Sequence, residues 1–172
     1  MYEDLSPIAE QLGKHMAEQC ADGLVGYFGE NLLAAFPDED LAAITGALSE
    51  LEGEGLVELT RLINLTVPRV RTTLALFVAC DAAITGQSPI ADSVILARML
   101  LADHDLGGNA RNLEAATGWE RRRFNPAFAM IVPCIGERRV RDAYQPNYPV
   151  LGVMVGEEDV ATLQRYIRER VR

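Results

Sequence analysis

Arginine supplies the most concentrated chemistry in this 172-residue chain. Arg121, Arg122 and Arg123 form an unbroken run, Asn125 follows two residues later, and Arg138, Arg139 and Arg141 make a second group. A guanidinium reaches a phosphate or a guanine edge through two parallel hydrogen bonds, so clustered arginines fit an anionic ligand. They equally fit surface ion pairs or a solvated face. Net charge is −9, which does not suit a protein coated in nucleic acid, but the average hides an asymmetry. Residues 1–106 hold five basic and 17 acidic side chains, a net of −12, whereas residues 107–172 hold 11 and eight, a net of +3. All 11 of those bases are arginine, so only this second part favours phosphate.

The remaining reactive side chains have simpler readings. Pro37-Asp38-Glu39-Asp40 is an acidic helix start, where carboxylates accept from free backbone amides and complement the dipole. Asp103-His104-Asp105 lacks a second ligand pair nearby, and adjacent residues on a helix do not share a face, so no metal is expected there. Cys20, Cys80 and Cys134 are odd in number and far apart in apolar surroundings, the pattern of buried reduced thiols. The two histidines, His15 and His104, lie in separate segments, with His15 at the edge of a first helix. A phosphate-binding glycine loop and a nucleophile elbow are both missing from the sequence, so an enzyme is not expected and no cofactor is implied.

The elements that would hold these side chains follow from periodicity. With 49% hydrophobic residues the chain can bury an ordinary core in one domain or two small ones. Leu5, Ile8, Leu12, Met16 and Cys20 share a helical face, with Pro7 in the opening turn. Leu24, Phe28, Leu32 and Phe36 predict a second helix containing Gly26 and Gly29, and Leu41, Ile44, Leu48 and Leu51 a third that stops near Gly53 and Gly55. Partial alternation over residues 56–67 predicts strand, with Ile63, Leu65 and Val67 on one side, and residues 72–83 predict helix. Punctuation at Thr85-Gly86-Gln87-Ser88 divides an acidic helical domain over residues 1–85 from a second domain over residues 86–172.

Ser88 and Pro89 open a helix with Ile90, Val94, Ala97 and Leu101 inward, ending near Asp103 and turned by Gly107-Gly108. Asn109 caps a short helix through Ala116, and Thr117-Gly118 makes the bend that follows. Beyond Trp119, the set Phe124, Ala127, Phe128 and Ile131 has helical spacing and leaves Arg121, Arg122 and Asn125 on another face. Pro126 interrupts this pattern and offers Asn125-Pro126 as an alternative helix start. Residues 137–141 and 150–155 form paired strands around a tip at Tyr144-Gln145-Pro146-Asn147-Tyr148-Pro149, and Glu157-Glu158-Asp159 opens a last helix.

This succession over residues 89–172 resembles the winged helix-turn-helix family, and residues 1–85 resemble a degenerate second copy whose third helix carries acids and no base. The fold class implied is mainly α with small β-hairpins, α+β. The resemblance implies a recognition helix in the major groove and a wing beside the backbone. It would place Arg121, Arg122, Arg123 and Asn125 on the reading surface and Arg138, Arg139 and Arg141 at the wing, in a DNA-binding transcriptional regulator. The alternative is a non-enzymatic protein-interaction module, a tandem winged-helix subunit of a larger assembly. The expected partner is thus double-stranded DNA or a protein, and homodimers are common among such modules. With no apolar run of about 18 residues and acids rather than bases in residues 1–10, the expected setting is cytoplasmic, away from membranes.

Overall fold

The computed structural model describes residues 5–143 and 145–171. It is mainly helical, 59%, with a small three-stranded antiparallel sheet and a two-stranded hairpin, an α+β protein. Two compact units divide the chain, the first comprising the residues up to Ala21 and Val25–Gly86, the second Asp22–Leu24 and Gln87–Arg172. Among the described residues no single helix is long and apolar enough to cross a membrane.

In the first unit, helix α1 (Pro7–Gln19) starts where the Ser6 hydroxyl accepts the Ala9 amide at 3.3 Å and proline occupies the first turn. The helix predicted over residues 24–36 is replaced by strand β1 (Tyr27–Phe28) and a short helix α2 (Asn31–Ala35). Two glycines weaken a helix there, and the Gly26 amide instead donates to the Thr72 hydroxyl at 2.8 Å. A side chain at Gly26 would also meet the Cys20 sulfur at 2.6 Å. Helix α3 (Leu41–Gly53) is capped by Asp40, whose carboxylate accepts the Ala43 amide at 2.7 Å.

Strand β2 (Val57–Thr60) is shorter than its apolar alternation suggests. Of the three residues expected on one side of the strand, Val67 is buried, Leu65 is half-buried and Ile63 is fully exposed, because residues 61–68 leave the ladder as a loop. Strand β3 (Arg69–Thr72) takes residues assigned in part to a helix, burying Val70 and Thr72 while Arg69 and Arg71 point outward, and helix α4 (Leu74–Ile84) follows. The sheet order is β1-β3-β2, with Phe28 opposite Val70 and Leu59 opposite the same residue on the far side. Its core joins Leu12 and Met16 of α1 to Ile44, Leu48 and Leu51 of α3 and to Val57, Val70 and Leu76. His15 meets the Phe36 ring edge-on at 5.4 Å.

In the second unit, helix α5 (Pro89–Ala102) is capped by Ser88, and helix α6 (Ala110–Thr117) by Asn109, which accepts the Arg111 amide at 2.9 Å. Gly118 closes α6 in the left-handed region at φ 67°, as a Thr-Gly bend requires. Helix α7 runs unbroken over Arg121–Ile131, so Pro126 lies inside it rather than opening it. The cost of the missing amide falls on the Arg122 carbonyl, one turn back, against which the Gly23 backbone packs together with the Pro126 ring. Ile90 is exposed, contrary to expectation, while Val94, Leu96, Ala97 and Leu100 enter a core with Leu113, Phe124, Phe128 and Leu163.

The expected long hairpin is reduced to strands β4 (Val140–Arg141) and β5 (Gly152–Val153), because Glu137–Arg139 coil into a 3-10 turn. Helix α8 (Glu157–Arg170) completes the unit. The base of the hairpin lies directly on the 3-10 turn Leu106–Gly108, where a Cβ at Gly152 would stand 2.5 Å from the Gly108 carbonyl oxygen. That carbonyl and the Gly107 carbonyl oxygen at 2.8 Å are backbone and cannot rotate away. Gly152→Ala should therefore destabilise the protein by about 2 kcal/mol or more, read as a lower denaturant midpoint at unchanged slope.

Candidate nucleic-acid interface

The arginines expected on the reading surface and at the wing sit in separate surroundings, and the carboxylates that receive Arg123 and Arg139 lie 31 and 20 residues away in the sequence. Arg123, in the first turn of α7, grips Asp92 in the first turn of α5, with Nε and Nη2 donating to the two carboxylate oxygens at 2.9 and 2.7 Å. The Asp92 side chain is 5% exposed and that of Arg123 31%, so this is a largely desolvated bidentate pair. The guanidinium also lies 4.0 Å from the centre of the Trp119 ring, which covers its other face. Asp92 serves two roles at once, an acid near the positive end of the α5 dipole and a clamp on α7.

Arg121 turns toward the loop joining β4 to β5. It donates to the Asn147 side-chain oxygen at 3.0 Å, lies 3.7 Å from Glu114 of α6 and sits over the Tyr148 ring. The Tyr148 hydroxyl donates to the same Glu114, and burial, then that carboxylate, push the phenol above its usual pKa. Asn125, expected on a reading surface, is instead fully buried, donating to the Asp22 carbonyl at 2.8 Å and the Asn147 carbonyl at 3.0 Å. The expected wing tip thus folds back over the first turns of α7. Tyr144 of that tip lies outside the described residues. Arg122 is half-buried in the same turn.

Arg139 belongs to the start of α8. Its Nε and Nη2 each donate to Asp159 at 2.7 Å, and its Nη1 to Glu158. Asp159 also accepts the Gly136 and Gly156 amides, each at 2.9 Å, the second being the backward half of a capping box. Four donors converge on one carboxylate that is 3% exposed. The guanidinium, with the two amides, holds its pKa at about 2. Arg141 donates to the Gly108 carbonyl at 2.8 Å, and Arg138 is exposed with no ion pair among the described residues.

Of the seven positions, Arg121 and Asn125 are brought together through Asn147, Arg123 and Arg139 are held by buried acids, Arg141 is held by a backbone carbonyl, and Arg138 has no ion pair among the described residues. Their partners Asp92, Glu114, Asn147 and Asp159 carry no signal in the sequence that links them to the arginines. Asp92 and Asp159 each stand at a helix start, where an acid already has a local explanation. Asp103, His104 and Asp105 are all exposed, and Asp103 accepts the Asp105 amide at 3.1 Å in a local turn. Cys20 and Cys80 are buried and Cys134 is half-buried.

Two measurements check this arrangement. Arg123→Ala, by leaving Asp92 buried without its cation, should destabilise the protein by about 3 kcal/mol, whereas Arg138→Ala should be neutral within about 0.5 kcal/mol. Because Asp159 has a lowered pKa in the folded chain, its contribution is complete above the ordinary aspartate value near 4 and disappears as pH falls through about 2. The stability difference between wild type and Asp159→Asn should therefore be flat above about pH 5 and shrink between about pH 4 and 2. A difference that stays constant down to the acid end would contradict the Arg139 pair. No protein-family model, curated protein or solved structure matches the chain.

Proposed function

We propose that the chain is a non-enzymatic protein-interaction module built as a tandem winged helix. In the first unit, the order helix, strand, helix, helix, strand, strand, with β3 between β1 and β2, supports a winged-helix reading. The second unit repeats the theme as three helices, a hairpin and a closing helix. Fold alone leaves DNA and protein partners equally open.

One observation carries the choice. Arg123 and Arg139, the best candidates for bidentate phosphate contacts, already have both arms on buried aspartates, and Asn125 is enclosed. Presenting those guanidiniums to DNA would strand two desolvated carboxylates, a larger loss than a phosphate contact returns. The corresponding helix of the first unit, α3, offers Thr45, Gly46, Ser49 and Glu50 and no base, so it repels phosphate. A protein surface makes neither demand.

The test is titration of a fluorescent random-sequence duplex with the full chain at about 50 and 200 mM salt. The expected result is no saturable binding at either concentration. Salt-sensitive binding that is lost in the Arg121→Ala, Arg122→Ala, Arg123→Ala triple variant would restore the DNA-binding regulator in its place.

A further inference from the structure

The ladder between β1 and β3 ends at the Phe28–Val70 pair. Beyond it the two chains part. On one side Gly29 turns into α2, its amide donating to the Asn31 side chain at 2.8 Å. On the other, Pro68 has no amide with which to continue the pairing. The gap is a groove of about 550 Å³ in the first unit, walled by Tyr27, Phe28, Leu65 and Val67, with Glu30 and Arg69 at its polar margin. Tyr27 is 74% exposed, and beside Leu65 the loop carries Leu62 at 44% and Ile63 fully in solvent. Large apolar side chains at these exposures, gathered around one depression, mark a contact surface rather than scattered surface residues.

Charge decides what the groove accepts. The residues of the first unit, 1–21 and 25–86, contain four basic and 13 acidic side chains, a net of −9, so this unit carries the whole net charge of the chain. Three of its bases are already paired, Lys14 with Glu18, Arg61 with Glu52 and Arg71 with Glu58. A second copy would bring the same negative field against itself, whereas a cationic partner is attracted to it. We infer that this groove docks an amphipathic, lysine- or arginine-rich segment of a partner protein, its apolar side against Tyr27 and Leu65 and its cations toward Glu30 and drawn in by the net negative charge of the unit. The inference rests on the protein-interaction reading and adds the place and the chemistry of the contact.

The test uses the full chain and two labelled synthetic peptides, one of leucine and lysine patterned at helical spacing, the other with glutamate in place of lysine. The lysine peptide should bind wild type and the glutamate peptide should not. The double variant Tyr27→Ser, Leu65→Ser, which leaves net charge unchanged, should weaken binding by roughly tenfold or more while its melting curve stays near wild type. Equal binding of both peptides, no binding of either, or full affinity in the double variant would overturn the groove. A concentration-dependent dimer abolished by the same variant would overturn it in favour of a second copy. Lysine-peptide binding that ignores the variant, with no duplex binding, leaves the interaction module standing and moves its contact elsewhere; duplex binding removes the module reading itself.

Discussion

Two buried aspartates determine what the arginines of the second unit can do. A guanidinium on the surface is available to any anion, but one with both arms on a desolvated carboxylate is part of the core's electrostatic balance. Asp92 ties α7 to α5 through Arg123, and Asp159 ties the chain before β4 to the start of α8 through Arg139. The hydrophobic cluster around Phe124 and Phe128 sets how the helices pack, while the Arg123 pair fixes α7 against α5 and the Arg139 pair fixes the turn before β4 on the start of α8. A run of arginines that looks like a ligand-binding device in one dimension is, in three, a set of struts.

The two units distribute charge and apolar surface differently. The second closes on itself, with its acids and bases matched and its hairpin loop laid over α7 through Asn147 and Tyr148. The first keeps an excess of carboxylates and leaves Tyr27, Leu62 and Ile63 in water. Its β2 edge is guarded, since Glu52 accepts the Leu59 amide while Arg61 holds that carboxylate in place. The groove beside β1 has no equivalent cover among the described residues.

Local signals are legible in the sequence because they act over a few residues. Ser88-Pro89, Asp40, Asn109 and Gly118 each satisfy or release a backbone group within one turn, and each stands where the sequence places it. The stripe from Leu24 to Phe36 misled because four-residue spacing describes a helix equally well in a segment whose glycines let it pair with a strand some 40 residues later. The arginine site was legible as residue types and illegible as a site. Arg123 and Asp92 are 31 residues apart and Arg139 and Asp159 20, and no periodicity links residues at such distances. The apolar groove was hidden for a related reason, since Leu65 and Val67 alternate like a strand and only the loop geometry separates them.

Residues 22–24 belong to the second unit although they are made with the first. The Asp22 carbonyl meets Asn125 across 103 residues of sequence, and Gly23 fits against the Pro126 ring without room for a side chain. On the ribosome this tripeptide emerges early and must wait, unsatisfied, until α7 has been synthesised. A chain begun at Gln87 would lack the piece altogether, leaving a notch over the proline where the backbone of a much earlier residue should lie.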